Sequence, residues 1–378
     1  MKQKMFSGIG SHETLAGILQ ELNPQKILCV TGKCSYQLCG AEDSIGKMLK
    51  PFHSIRFSDY AMYPEVDAIA RGVDVFKKEG CDLVIGIGGG AAIDIAKSIS
   101  FLGEQKGCLR DYLYQTEKPK SRQKPLIVIP TTAGTGSEAT HFSVIYIEKK
   151  KHSLAHSTLL PDYVILDPLF TKSQTKYLAA CVGLDALCQA IESYWSIGAN
   201  EESKAYSKKA IELILENICK SINSPNEDVR MAMLMGSHYA GKAINLAKTT
   251  AAHALSYPFT SCFNIPHGHA VSLTLPYLIE LNAHVSKENI QDPRGVCYVE
   301  ETISELCGLL GVDTPEAARD LMLKIMREVG LDSRLSHFAI GENNLKDILD
   351  DAMGSTRMQN NPIRLSRDVL FDLLTSLL

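Results

Sequence analysis

The first half of the chain alternates short apolar runs with amphipathic stretches. KILCVTG (26–32), CDLVIGIGGG (81–90) and PLIVIPTTAGTGSE (125–138) have the length and character of buried strands. Between the first two, Val66, Ile69, Val73 and Phe76 recur at the spacing of one helix face, which predicts a crossover helix from Val66 to Gly80. Such alternation builds a parallel sheet wrapped by helices. FSVIYIEKKKHSLAH predicts a hairpin, with Val144 and Tyr146 on one arm and Ser153 and Ala155 on the other. PDYVILDPLF (161–170) is the last strand-like segment, its prolines and aspartates marking turns. Long helical segments then take over, such as ESKAYSKKAIELILENICKSI and PEAARDLMLKIMREVG. The expected organisation is an α/β domain over 1–172 and an all-α domain over 173–378, with no internal repeat.

Composition narrows the function. The 378 residues exceed what one hydrophobic core usually serves, which supports two domains. With 45% hydrophobic and 22% charged residues, the chain is an ordinary folded protein rather than a disordered one. A net charge of -4 offers no electrostatic footprint for nucleic acid. Lys149, Lys150 and Lys151 form the one tight basic run, open to reading as a solvated turn or as a binding element. The N-terminus lacks an apolar leader, and no run of apolar residues is long enough for a membrane span. Eleven cysteines without CxxC spacing suit reduced thiols. A cytoplasmic protein is expected, with a small-molecule substrate, no nucleic-acid or membrane partner, and a homodimer left open.

Two loops carry candidate phosphate chemistry. In GIGGGAAIDIAKSI, Gly88, Gly89 and Gly90 let the backbone approach a phosphate, and the helix that follows offers unpaired N–H groups. PTTAGTGSEAT, from Pro130 to Thr140, sets five hydroxyls at the end of its own apolar run. That is where an open α/β sheet binds its ligand, so the N-terminal domain reads as dinucleotide-binding. In the helical half, Asp185 and Gln189 lie four apart on one helix face, as do His253 and Tyr257. His267 follows in the turn IPHGHA, with His269 beside it. A carboxylate and two imidazoles from separate segments suit a divalent metal.

GGGAAIDIAK, PTTAGTGSEAT, DYVILDP, GLDALCQAIE and HALSYPFTSCFNIPHGHA occur in the order found in the iron-containing, group III alcohol dehydrogenases, and the chain resembles that family from about residue 5 to the NNPIRLS segment. The resemblance implies a dehydroquinate synthase-like architecture, in which an N-terminal domain binds NAD or NADP and a helical C-terminal domain holds Fe(II) or Zn(II), with the active site in the cleft between them. It implies that Gly88 to Gly90 hold the pyrophosphate, and that Thr131, Thr132, Ser137, Thr140 and Lys151 surround the ribose and nicotinamide. It places Asp185, His253 and His267 on three of four metal-ligand positions. The fourth, usually histidine, is Gln189, a neutral and harder donor expected to bind metal more weakly. Tyr257 replaces a histidine near the nicotinamide. Gly32 stands where NAD-preferring members have an aspartate that repels a 2′-phosphate, with Lys33 or Ser35 available to bind one, so NADPH is favoured over NADH.

The expected reaction is reduction of an aldehyde whose carbonyl the metal polarises, with the proton supplied through Tyr257, His269 or the nicotinamide ribose. The segments around GLDALCQAIESYWS and SYPFTSCFNIPHGHA look closest to the phosphonoacetaldehyde reductase branch, which implies reduction of phosphonoacetaldehyde to 2-hydroxyethylphosphonate. Arg357, Arg364 and His141 are candidates for its charged group, surface arginines serving solubility being the competing reading for the first two. The alternatives are a general short-chain alcohol dehydrogenase, a sugar-phosphate enzyme resembling dehydroquinate synthase or glycerol-1-phosphate dehydrogenase, and a non-catalytic nucleotide-binding protein.

Overall fold

The computed structural model describes residues 3–61, 63–114, 116–148 and 150–378, so Lys149 of the basic run lies outside the described residues. The chain divides into two compact units, Met1–Gln174 and Thr175–Leu378.

The first unit is built on a sheet of six parallel strands: β1 (Lys4–Ser7), β2 (Lys26–Thr31), β3 (His53–Phe57), β4 (Leu83–Gly88), β5 (Leu126–Pro130) and β8 (Tyr163–Leu166). Their order is β1-β8-β5-β4-β2-β3. β4 and β5 are buried along their whole length, because crossover helices cover both faces of a parallel sheet. Hence their sequences read as unbroken apolar runs. The edge strands β1 and β3 were not predicted. Their residues are mostly exposed or half-buried and partly polar, KMFS and HSIRF, so they carry neither an apolar run nor a clean alternation. β6 (Phe142–Ile147) and β7 (Lys150–Ala155) form a separate antiparallel hairpin, pairing Val144 with Ser153 and Tyr146 with Lys151. Helix α1 (Val66–Glu79) makes the crossover from β3 to β4, and Gly80 ends it in a left-handed conformation, φ 71°. Helix α2 (Gly90–Leu102) follows β4 after a single residue and is buried almost throughout. A Cβ on Gly86 would lie 2.7 Å from that of Ala96, so the absence of a side chain lets α2 press onto β4.

The second unit is helical. At its centre runs α3 (Lys176–Trp195), capped at its start by Thr175, whose hydroxyl accepts from Leu178 N at 3.2 Å. Around it pack α4 (Glu201–Asn223), α5 (Glu227–Ala247), and, past α6 (Ala251–Phe263), α7 (His267–Ala283). From Leu184 to Trp195 every residue of α3 is buried. A helix covered on all sides gives no amphipathic stripe, so its polar residues are the informative ones. Asp185, Gln189 and Glu192 stand at i, i+4 and i+7, on one face. No helix among the described residues is long and apolar enough to cross a membrane.

Candidate active site

Unit two gathers Asp185, His253 and His267, whose ligand atoms all lie within 4.8 Å of one another. The cluster depends on a close approach of two helices. A Cβ on Gly268 would sit 1.9 Å from the Cys181 carbonyl oxygen and 2.8 Å from Asp185 Cβ. Only glycine lets the start of α7 rest on α3 there, which brings His267 up to Asp185. His267 is the first residue of α7 rather than part of a turn, a correction to its expected place; Pro266 stands just before the helix.

His253, in the first turn of α6, is oriented by a residue that sequence reasoning missed. Glu192 is fully buried. One of its oxygens accepts from Thr250 N at 3.1 Å, Thr250 Oγ1 at 2.8 Å, Ala252 N at 2.9 Å and His253 N at 3.3 Å. The carboxylate thus caps α6, satisfying amides that a helix start leaves unpaired. Its other oxygen pairs with His253 Nδ1. That bond turns Nε2 toward Asp185 Oδ1, 3.5 Å away. Burial disfavours a charged His253, but Glu192 first and Asp185 with it outweigh this and raise its pKa to about 9. A carboxylate holding one imidazole nitrogen so that the other faces an ion is the usual support of a metal-bound histidine. The signal available in sequence was an acid three residues beyond Gln189 in an otherwise apolar helix.

The donor set fits a divalent cation. Donors around such an ion, with bonds of about 2.1 Å, stand roughly 3–4 Å apart, close to the spacing seen. Gln189 Oε1 is buried with no hydrogen-bond partner among the described residues. An unsatisfied buried oxygen costs about 1–3 kcal/mol, a penalty that ligation removes. Tyr257 lies alongside, its ring stacked on that of His267 with centroids 6.1 Å apart.

His269 does not join this group, which corrects its expected role. Two residues along a helix turn a side chain by about 200°, to the opposite face. There His269 is buried, with Nδ1 3.1 Å from Tyr177 Oη, Nε2 2.7 Å from Asp332 O, and Phe338 against its ring. Arg364 is exposed, and its backbone N donates to Asn289 O at 2.7 Å. Arg357 is half-buried at the start of the Met358–Asn360 turn.

In unit one the two glycine loops abut. A Cβ on Gly90 would come 2.7 Å from Thr135 Cγ2, and one on Gly89 3.4 Å from Thr132 Oγ1. Gly88 has φ 154°, and Thr131 N donates to its carbonyl at 3.0 Å. Ser137 and Thr140 are buried and tie their loop to α2. Ser137 Oγ donates to Asp94 Oδ1 at 2.5 Å, and fully buried Lys97 donates to Ser137 O at 2.8 Å and Thr140 Oγ1 at 3.0 Å. Burial pulls the Lys97 pKa down to about 8, against the opposing pull of Asp94. Lys151, on β7, is close enough to help lower the Asp94 pKa, though burial dominates and raises it. His141 precedes β6, its ring edge-on to Phe142. Gly32 follows β2 with Ser35 tightly beside it, a Cβ there falling 1.9 Å from Ser35 Oγ. Arg56 of β3 braces this turn, donating to Thr31 Oγ1 at 2.8 Å, Gly32 O at 3.2 Å and Lys33 O at 2.9 Å.

A parallel sheet with two glycine loops at the ends of β4 and β5, followed by a helical unit that clusters one carboxylate and two imidazoles, defines an enzyme rather than a binding module. The model of iron-containing alcohol dehydrogenases matches residues 2–168, and that of the family's C-terminal domain matches residues 179–378. Long-chain-alcohol dehydrogenase 1 of Geobacillus thermodenitrificans is 30% identical, over 93% of this chain and 89% of its own. Phosphonoacetaldehyde reductase of Streptomyces viridochromogenes is 31% identical, over 82% and 78%. The crystal structure of sulfoacetaldehyde reductase from Bifidobacterium kashiwanohense in complex with NAD+ superposes with a TM-score of 0.88 at 27% identity, covering 99% of this chain and 96% of that one. The chain belongs to the iron-containing alcohol dehydrogenase family, and its activity is that of an alcohol dehydrogenase or aldehyde reductase.

Proposed function

We propose that this enzyme reduces a small anionic aldehyde, phosphonoacetaldehyde first among the candidates, to its alcohol, using NADPH in preference to NADH and assisted by Fe(II) or Zn(II). The observation that carries the reading is the cluster of buried Asp185, buried His253 and half-buried His267 beside the unsatisfied Gln189 oxygen. When bound, the cation supplies Lewis acidity to the substrate carbonyl and the reduced nicotinamide supplies hydride. The chain's own residues do the rest. Glu192 holds His253 with Nε2 presented, Gly268 sets the distance between α3 and α7, and Tyr257, whose ring stacks on His267, hands a proton to the nascent alcohol. Gly88 to Gly90, Thr131 and Thr132 line the phosphate loops, which Lys97 and Asp94 anchor from below.

Two relatives act, by name, on acetaldehydes bearing a tetrahedral oxyanion, and this supports a charged substrate. Gly32 supports NADPH, since no carboxylate at that position repels a 2′-phosphate. All eleven cysteines are unpaired, which suits a reducing cytoplasm. The deciding assay follows nicotinamide absorbance with phosphonoacetaldehyde, sulfoacetaldehyde and propanal, each with NADPH and NADH. Higher kcat/KM for the charged aldehydes and for NADPH is expected. Gly32→Asp, with Ser35 rotated aside, should reverse the cofactor preference; equal efficiencies for charged and neutral aldehydes sink the substrate assignment.

A further inference from the structure

Asp94, Lys97 and Ser98 stand at i, i+3 and i+4 on α2, so they share one face of a helix that is buried almost throughout. All three bond to the segment that runs from the second glycine loop into β6. Lys97 Nζ donates to Ser137 O at 2.8 Å, Thr140 Oγ1 at 3.0 Å and Phe142 O at 2.5 Å. Asp94 Oδ1 accepts from Ser137 Oγ, and Asp94 Oδ2 accepts from Val144 N at 3.1 Å. Ser98 Oγ lies 2.8 Å from Ser143 Oγ, which donates to Asp94 O at 2.9 Å.

The three short bonds occupy all three N–H donors of the ammonium. Its nearest carboxylate oxygen, Asp94 Oδ1, is 3.8 Å away, so Lys97 grips the loop rather than pairing with an acid. A buried charge costs several kcal/mol that a methionine at this position would not incur, and packing alone therefore does not call for a lysine. What the lysine supplies is a fixed distance. The near end of the same loop already meets the start of α2, where Thr135 crowds Gly90 and Thr132 lies against Gly89. Two turns further along the helix, Lys97 holds the far end. The loop is thus pinned to α2 at both ends, across the helix start whose unpaired amides suit a phosphate.

We propose that Lys97 is a positioning residue for the nicotinamide nucleotide: by gripping the second glycine loop from within α2, it sets the gap between that loop and the helix start, and so the affinity for the cofactor, without touching it. This rests on the reading that the two glycine loops hold the nucleotide phosphates.

Lys97→Met keeps the length of the side chain and removes its donors. The dissociation constant of NADPH, followed by its fluorescence, rises about 10- to 100-fold, the cost of a binding group displaced by about 1 Å. At saturating NADPH, kcat and the KM for propanal stay at their wild-type values, as does Zn(II) affinity in the second unit. Thr140→Val removes one of the three acceptors, raises the same constant less, and serves if Lys97→Met does not fold. Ser98→Ala breaks only the bond to Ser143 in β6 and leaves NADPH affinity unchanged. Gly90→Val fills the space beside Thr135 and abolishes NADPH binding. Unchanged NADPH affinity in Lys97→Met and Thr140→Val, with binding lost in Gly90→Val, overturns the positioning role and leaves the loop reading standing. Wild-type affinity in Gly90→Val overturns the loop reading and the positioning role with it. Affinity that falls in Ser98→Ala and Lys97→Met alike, in step with their denaturant midpoints, reduces Lys97 to a support of the fold and overturns the proposal.

Discussion

Glu192 shows how much of a metal centre resides in residues that never touch the ion. It offers one oxygen to the start of α6 and the other to His253. Replacing it with glutamine keeps the shape but removes the charge and introduces a donor against His253 Nδ1. Glu192→Gln is expected to weaken Zn(II) or Fe(II) affinity about 10- to 100-fold, as other losses of such support do. Titration against a chelator of known affinity measures this, and an unchanged constant would dissociate Glu192 from the site. Gln189→His, adding an imidazole where an unsatisfied amide oxygen stands, should tighten the same constant. Asp185, His253 and His267 were legible as a candidate donor set from residue types and their placement on separate segments, whereas Gln189 entered through the family resemblance. Glu192 was not, since an acid in a helix reads by default as solvated surface, and only the all-round burial of α3 shows otherwise. Lys97 was hidden for the same reason: its full burial beneath the second glycine loop has no signature in DIAKS.

At the scale of elements, the metal cluster follows from how α7 meets α3. Gly268→Ala would place a methyl 1.9 Å from a backbone oxygen, which cannot rotate away as a side chain can. The helices must part, and His267 moves off Asp185 with them. The variant should therefore lose measurable metal binding and also some stability, about 1–3 kcal/mol by the usual cost of overpacking. Metal content after gel filtration and a denaturant midpoint read the two effects; wild-type metal content in Gly268→Ala would show that the contact is not what sets the site. Central strands β4 and β5, the crossover α1 and the β6–β7 hairpin were readable in advance, because burial on both faces or strict alternation writes itself into the sequence. Edge strands β1 and β3 face water on one side and a single neighbour on the other, so hydrogen bonding to that neighbour defines them more than composition does. His269 was misplaced because adjacency in sequence puts two histidines on opposite faces of a helix.

On the scale of the whole chain, two units with separate cores should respond differently to the ion. Among the described residues the candidate donor cluster lies within Thr175–Leu378, so a cation bound there at 100 times its dissociation constant should stabilise that unit by about 2.7 kcal/mol. Scanning calorimetry with and without chelator should show one transition shifting and the other holding still; two transitions that shift together, or neither shifting, would contradict the assignment. The backbone at Lys248, just past α5, has φ 68° and ψ 169°, a combination that glycine alone adopts freely, and this has a consequence on a longer timescale. Relief of a glycine-only conformation is worth about 1–3 kcal/mol, more than the roughly 0.5–1 kcal/mol of extra chain freedom that glycine loses on folding. A lysine at that position is therefore a standing burden on heat tolerance, and Lys248→Gly should raise the melting temperature. Populations evolved at rising temperature should fix Lys248→Gly early and repeatedly, and an unchanged melting temperature in that variant would show that the conformation carries no burden.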